Sequence, residues 1–352
     1  MSDNLAQALR ASRRRAAAFA LALALAGCQA GYVIEQGRRH LALRSREIPL
    51  GSAELSEKLS AEEAEKLRWV PEILRFAREE LGLEPGGSYR TLLDTGGEPI
   101  SWIVAAAHPL ALIPYRWRFP FAGTVAYKGF FDREDALREA RRIEGEGYEA
   151  EVWPVEAFST LGWFEDPVLR TMLRGTAADL ADLILHETAH RTVYFAENTS
   201  FNESFAAHLA REGTVRLLFS RPELRHLLGP YLEETRARGE RERLLLRLRA
   251  DLDALYRSGL PDGAKLARKR EIFRTAAAAY RRLAPGAEGP GIPSSNASLL
   301  AVTAYGEYEG LLLELQGRLG GEPAGLVAYL KRLPRDRDPV PALAAELPSL
   351  EP

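Results

Sequence analysis

The sequence is poor in the features that mark several large classes of protein. One cysteine among 352 residues rules out an intramolecular disulfide and a cysteine-based zinc knuckle. Neither charge dominates: 47 basic and 49 acidic residues leave a formal net charge of −2. A nucleic-acid binder needs a clustered basic surface, and this balance argues against one. No apolar run approaches the ~20 residues that span a bilayer as a helix. There is no G-x-S-x-G, no phosphate-cradling glycine loop and no dinucleotide fingerprint, so those enzyme classes have no foothold. What is present is ordinary globular material, 46% hydrophobic and 27% charged, enough for one large domain or two medium ones. Histidine is scarce at six residues, which gives weight to where it falls.

The lone cysteine ends a targeting pattern. Arg10, Arg13, Arg14 and Arg15 precede the apolar run from Ala16 to Gly27, which has signal-peptide length and is too short to span. It closes on Leu25-Ala26-Gly27-Cys28, which resembles the lipobox of bacterial lipoproteins. The resemblance implies cleavage before Cys28 and acylation of its thiol and new amino group. Several acyl chains make such a membrane anchor stable. Gln29, in place of aspartate, implies sorting to the outer membrane, facing the periplasm.

The expected organisation is a signal peptide over 1–27, a polar tether over 28–58 and a single domain over 59–352. Within that domain we expect an α/β part over 59–165, a core over 166–220 and a helical part over 221–352. Ser60 to Glu63 reads as a capping box, and Pro71 breaks the helix it opens. Ile100 to Ala107 and Thr124 to Phe131 read as strands, with a helix capped by Asp132 and a further strand from Tyr148 to Val155. From Thr176 onward the pattern is helical, with a hairpin pairing Leu228 to Arg257 with Ala264 to Leu283. The fold class is α+β, mostly helical: a small N-terminal α/β layer with an edge strand, beside a helical core and a C-terminal helical hairpin.

The informative stretch is His186-Glu187-Thr188-Ala189-His190. Thr176 caps its helix, with Asp179 at the third helical position. Residues four apart share a helix face, so both imidazoles can converge on one ion while Glu187 projects beside them. Neutral imidazole is a good zinc ligand, and a carboxylate beside the metal can take a proton from the attacking water. Burying two imidazoles without partners would be costly. A catalytic zinc takes three protein ligands and keeps one position open. Asn202-Glu203-Ser204-Phe205-Ala206 follows twelve residues after His190, past a turn-forming stretch, on a new helix starting near Asn202. Glu203 is the expected third ligand; Glu197, on the first helix face if that helix continues, competes. His208 lies about 140° around the helix from Glu203 at 100° per residue, away from the site.

HETAH followed by NESFA resembles the gluzincin arrangement, H-E-x-x-H and then N-E-x-x-A on the next helix. More closely, the chain resembles a family of bacterial lipoproteins described as predicted aminopeptidases. The residues that carry this are the lipobox at Cys28, Trp117 to Phe131, Phe158 to Leu169, Leu183 to His190, Phe201 to Ala206 and Asn296 to Tyr308. The resemblance implies one zinc on His186, His190 and Glu203, with Glu187 as general base. Family members often carry cysteines where this chain has Arg118 and Thr124, so a local disulfide is missing here. The resemblance also suggests an edge strand for peptide substrates over Ser159, Thr160, Leu161, Gly162 and Trp163, with Asn202 near the substrate. Trp163 packing inside an ordinary core strand is the competing reading. Tyr305, or Tyr308, is a candidate oxyanion donor or a packed tyrosine.

The function that follows is zinc-dependent hydrolysis of peptide substrates, as an aminopeptidase by family description. No G-x-M-E-N segment anchors a free amine, so endopeptidase action stays open. An envelope amide hydrolase and a non-catalytic lipoprotein stapled by the metal are the rivals. A purely structural site would need a fourth protein ligand, and none is obvious.

Overall fold

Capping side chains set the helix starts, and buried apolar faces set how the helices pack. The computed structural model describes residues 38, 43–119, 123–155, 165–284, 292–303 and 306–347. The chain divides into two units, residues 1–46 and 47–352. In the first, the described residues are 38 and 43–46, and Leu43 and Arg44 are helical. All that follows concerns the second.

It begins with a short strand, β1 (Ile48–Pro49), and helix α1 (Ala53–Lys58), within the stretch expected to be a tether. Helix α2 (Ala61–Leu67) opens on the Ser60 and Glu63 capping box. Helix α3 (Val70–Glu79) carries Pro71 in its first turn, where a missing amide costs nothing. Strands β2 (Thr91–Leu93), β3 (Ser101–Ala107), β4 (Trp117–Phe119), β5 (Gly123–Val125) and β6 (Tyr127–Phe130) follow. The strand expected over 124–131 is thus divided between β5 and β6 at Ala126. Helix α4 (Arg133–Glu144), capped by Asp132, leads to β7 (Glu149–Val155) and β8 (Val168–Leu169).

The strands form three small sheets, ordered β1-β2-β8, β6-β3-β7 and β4-β5. In the second, β3 is antiparallel to both neighbours. Its Ile103 stands opposite Trp153, and its Ala105 stands opposite Tyr127. Strand alternation puts Trp102 and Val104 on the other face. There the Arg133 guanidinium of α4 lies over the Trp102 ring, 5.4 Å from its centroid. Ala136, Ala140 and Ile143 of α4 are buried. One face of this sheet is therefore covered by α4, and the Ile103 and Ala105 face is left for something else. In the β4-β5 pair, Arg118 stands directly opposite Thr124.

The helical part contains α5 (Ala177–Thr192), α6 (Thr199–Ser220), α7 (Leu228–Arg257) and α8 (Asp262–Leu283). It ends with α9 (Asn296–Thr303), α10 (Glu309–Arg318), α11 (Pro323–Leu330) and α12 (Val340–Glu346). The core lies between α5 and α6. Leu180, Ile184 and Leu185 of α5 and Phe201, Phe205 and Leu209 of α6 are fully buried. Each such side chain is worth ~1.5–3 kcal/mol against exposure. Gly213 of α6 permits the close approach: a Cβ there would stand 2.6 Å from Leu81 and 3.0 Å from Leu185. Helices α7 and α8 share a separate seam of Leu245, Leu248, Leu252, Leu255 and Phe273, which α9 joins through Leu299. The fold is α+β and mostly helical. Among the described residues, no helix is long and apolar enough to cross a membrane.

Candidate functional site

The site begins with a local device. Thr176 accepts from the Asp179 amide, and the Asp179 carboxylate accepts from the Thr176 amide. This capping box starts α5, which places His186 and His190 one turn apart. The helix ends at Val193, and Phe195 is buried in the connection. The Asn198 side chain accepts from the Phe201 amide and starts α6, a turn earlier than expected from Asn202. Asn202 is wholly buried and differently employed. Its Oδ1 accepts from the Phe195 amide at 2.9 Å and its Nδ2 donates to the Phe195 carbonyl at 2.8 Å. It is therefore a staple across the α5 to α6 turn, not a substrate contact, because both ends of its amide are used on the backbone.

That turn doubles α6 back against α5 and brings Glu203 to the histidine pair. The Nε2 atoms of His186 and His190 are 3.1 Å apart. The Glu203 Oε2 is 3.4 Å from each. Two ligand atoms placed 2.0–2.1 Å from a tetrahedral ion stand about 3.3 Å apart, so the three fit the donor triangle of one such ion. Among the described residues they form the one histidine and carboxylate group able to hold a metal. His190 Nδ1 is buried without a hydrogen-bond partner among the described residues. Burial works against the Glu203 charge, yet His190 and His186 beside it hold its carboxyl well below the usual range.

Glu187 projects next to the cluster and is half-buried. Burial pushes its carboxyl up to about 7, the Glu203 and Asp166 charges push the same way, and His186 opposes them. Tyr194 packs edge-on to His190, with ring centroids 6.3 Å apart. Burial and the Glu203 charge raise its hydroxyl pKa, and Thr199 and Asn202 work the other way.

The cluster opens on a cleft of about 610 Å³. Glu203 and Tyr127 lie in its wall, together with the Ile103 and Ala105 face of the sheet and with Ala301 of α9. Tyr127 was not singled out from the sequence, where it reads only as a strand residue. Burial raises its hydroxyl pKa, and Tyr194, Glu203 and Glu187 raise it further. Its side chain makes no hydrogen bond among the described residues. Only the non-local packing of the β3 sheet, which contacts α4 and α9, brings it here, and no local signal could have announced it.

The other expected site residues are distributed as follows. Glu197 is exposed at the cleft and outside the metal-ligating group. Tyr308 lines the cleft, its hydroxyl accepting from Asn198 at 3.4 Å and its ring tilted against Phe201. Tyr305, the stretch Ser159 to Trp163 and Cys28 lie outside the described residues. His208 is buried, with Nδ1 3.2 Å from Glu309 and Nε2 2.7 Å from Gln316.

No curated protein and no solved structure matches this chain. One family does, the one described as "Putative aminopeptidase", over residues 31–338. That span contains both helices of the metal-ligating group and the whole cleft, and the chain belongs to this family.

Proposed function

We propose that the protein is a zinc peptidase of the cell envelope that releases N-terminal residues from peptides. The observation that carries the reading is the meeting of His186, His190 and Glu203 from two helices, with Glu187 alongside and a cleft in front. Two imidazole nitrogens and one carboxylate suit zinc, and three protein ligands leave a position open for catalysis. When bound, zinc supplies a Lewis acid and brings the pKa of water toward neutrality.

The residues of this chain do the rest. His186, His190 and Glu203 hold the ion. Glu187 accepts the proton of the attacking water on its carboxylate and passes it to the leaving amine nitrogen. The Tyr127 hydroxyl, without a hydrogen bond among the described residues, donates to the substrate's carbonyl oxygen as charge develops there. Tyr305 remains a second candidate for that donation. Glu197 lines the cleft and offers an exposed carboxylate toward which a free amine is drawn, which supports action at the N-terminus. Acylation at Cys28 would hold the enzyme on the membrane, facing the periplasm.

The test is metal analysis paired with hydrolysis of free and N-blocked peptides, before and after chelation. About one zinc per chain, chelation-sensitive turnover and preference for free amines are expected. Glu187→Gln should keep the metal and lose about 10³-fold in kcat. A Glu187→Gln enzyme with full turnover would refute the assignment.

A further inference from the structure

We propose that the cleft is a side-chain pocket selecting peptides with a bulky apolar residue at the scissile carbonyl. The proposal rests on the peptidase reading above. One wall is the face of the β3 sheet that α4 leaves uncovered, part of which α9 covers through the bonds of Ser295 and Ser298 to Glu151. Ile103 and Ala105 line it two residues apart on one strand, as alternation requires. Directly paired residues share a face, so Trp153 extends this wall beside Ile103, and Tyr127 extends it beside Ala105. Helix α9 supplies the facing wall through Leu300 and Ala301.

The pocket is continuous with the chemistry, because Glu203 and Tyr127 belong to the same cleft. The residue whose carbonyl lies at the metal ligands is therefore the one whose side chain meets these walls. Among the charged groups of the cleft, Arg116 and Glu197 are exposed to solvent, whereas others are engaged within the protein. Arg249 and Glu307 lie 3.0 Å apart and neutralise each other. Asp338 accepts from Asn198 at 2.9 Å and from the Val340 amide at 3.0 Å. The walls between are carbon, with the β3 amides and carbonyls engaged in the sheet ladder. A charged side chain set against Ile103, Trp153, Leu300 and Ala301 would lose its water to carbon. A leucine or phenylalanine would gain about 10- to 100-fold in affinity, the worth of burying one such side chain. Ala105 and Ala301 leave the room that the side chain occupies.

The test uses the zinc-loaded full chain and aminoacyl anilides with one constant leaving group, both free and N-acetylated. Leucyl and phenylalanyl substrates should exceed glycyl, glutamyl and lysyl ones by about 10- to 100-fold in kcat/KM. A second arm measures binding of leucyl and glutamyl dipeptides to zinc-loaded Glu187→Gln by calorimetry, and the same order is expected without turnover. Ala301→Phe should lower the leucyl-to-glycyl ratio at least tenfold, and its melting curve reports whether it folds. Should it fail to fold, Ala105→Leu on the opposite wall carries the same expectation. Equal binding of both dipeptides, a preference for the charged one, or an unmoved ratio in a folded variant would overturn the pocket. If no substrate of either kind turns over, the peptidase reading falls, and the binding arm alone decides the pocket.

Discussion

Helix α6 carries two clusters of histidine and carboxylate, and they are opposite in kind. In the first, Glu203 stands 3.4 Å from the Nε2 atoms of His186 and His190. Three lone-pair bearers face one another, and only a proton or a cation can reconcile them. In the second, five residues along, both ring nitrogens of His208 are engaged by Glu309 and Gln316. Arg211 reaches Glu309 at 2.7 Å, and the Gln316 amide donates to Glu212 at 2.8 Å and to the Gly321 carbonyl at 2.9 Å. Here donors meet acceptors, and His208 itself is buried. The first cluster also opens on a cleft, whereas the second is sealed by α10. Residue type does not separate a ligand site from a structural network. Convergence of like atoms, and access, do.

The largest effect that can break this comparison comes from exchanging the histidines' fates. His186→Ala and Glu203→Ala should each abolish stoichiometric zinc binding and all turnover. Zinc at a hundred times its Kd should stabilise the natural protein by about 2.7 kcal/mol, seen as a rise in Tm that neither variant shows. His208→Ala should behave in the reverse way. It should keep zinc but lose about 2 kcal/mol in chemical unfolding, with or without the metal, because half-buried Glu309 and buried Gln316 each lose a partner while Arg211 still reaches Glu309. Zinc retained by His186→Ala, or lost by a folded His208→Ala, would erase the distinction.

The sequence made the two clusters unequally legible. His186, Glu187 and His190 sit within one turn of a helix whose start is itself encoded by Thr176 and Asp179, so local rules suffice. Glu203 is legible as a residue type but not as a position. Asn198 and Asn202 can each cap a helix, and only the buried connection at Phe195 decides which does. Tyr127 lies about sixty residues before the histidines and reaches them by sheet docking, which no periodicity encodes. Likewise Ile48, in what reads as a tether, is drawn into a strand by pairing with Leu92 far along the chain. Local signals set elements; non-local packing sets neighbours.

A smaller effect sharpens the contrast between open and closed. Tyr127→Phe deletes a hydroxyl that contacts nothing among the described residues and faces the cleft. It should lower kcat about tenfold, the loss of one transition-state donor worth about 1.4 kcal/mol, with KM and Tm little changed. Gln316→Leu removes a partner from the closed cluster and should do the converse, lowering Tm and leaving kcat near its natural value. A kcat unmoved in Tyr127→Phe would return the donor's role to Tyr305.

The smallest effect is on pH dependence, and it bears on the closed cluster alone. Burial pushes the His208 pKa down from its ordinary 6.5, but the bonds to Glu309 and Gln316 and the Glu309 and Glu212 charges raise it overall. Burial likewise pushes Glu309 up from 4.5, and His208 and Arg211 bring it below that value. A raised histidine contributes stability that is whole below 6.5 and is lost as pH rises through its folded value. A lowered carboxylate contributes above 4.5 and is lost as pH falls through its folded value. Their joint contribution is therefore greatest between 4.5 and 6.5 and fades on the alkaline side. Chemical unfolding of the chelated protein and of His208→Gln should show it. The gap between them should narrow as pH is raised from about 6 to about 9. A constant gap would mean that His208 stays neutral throughout, and that shape and hydrogen bonding, not charge, hold the sealed side of α6 together.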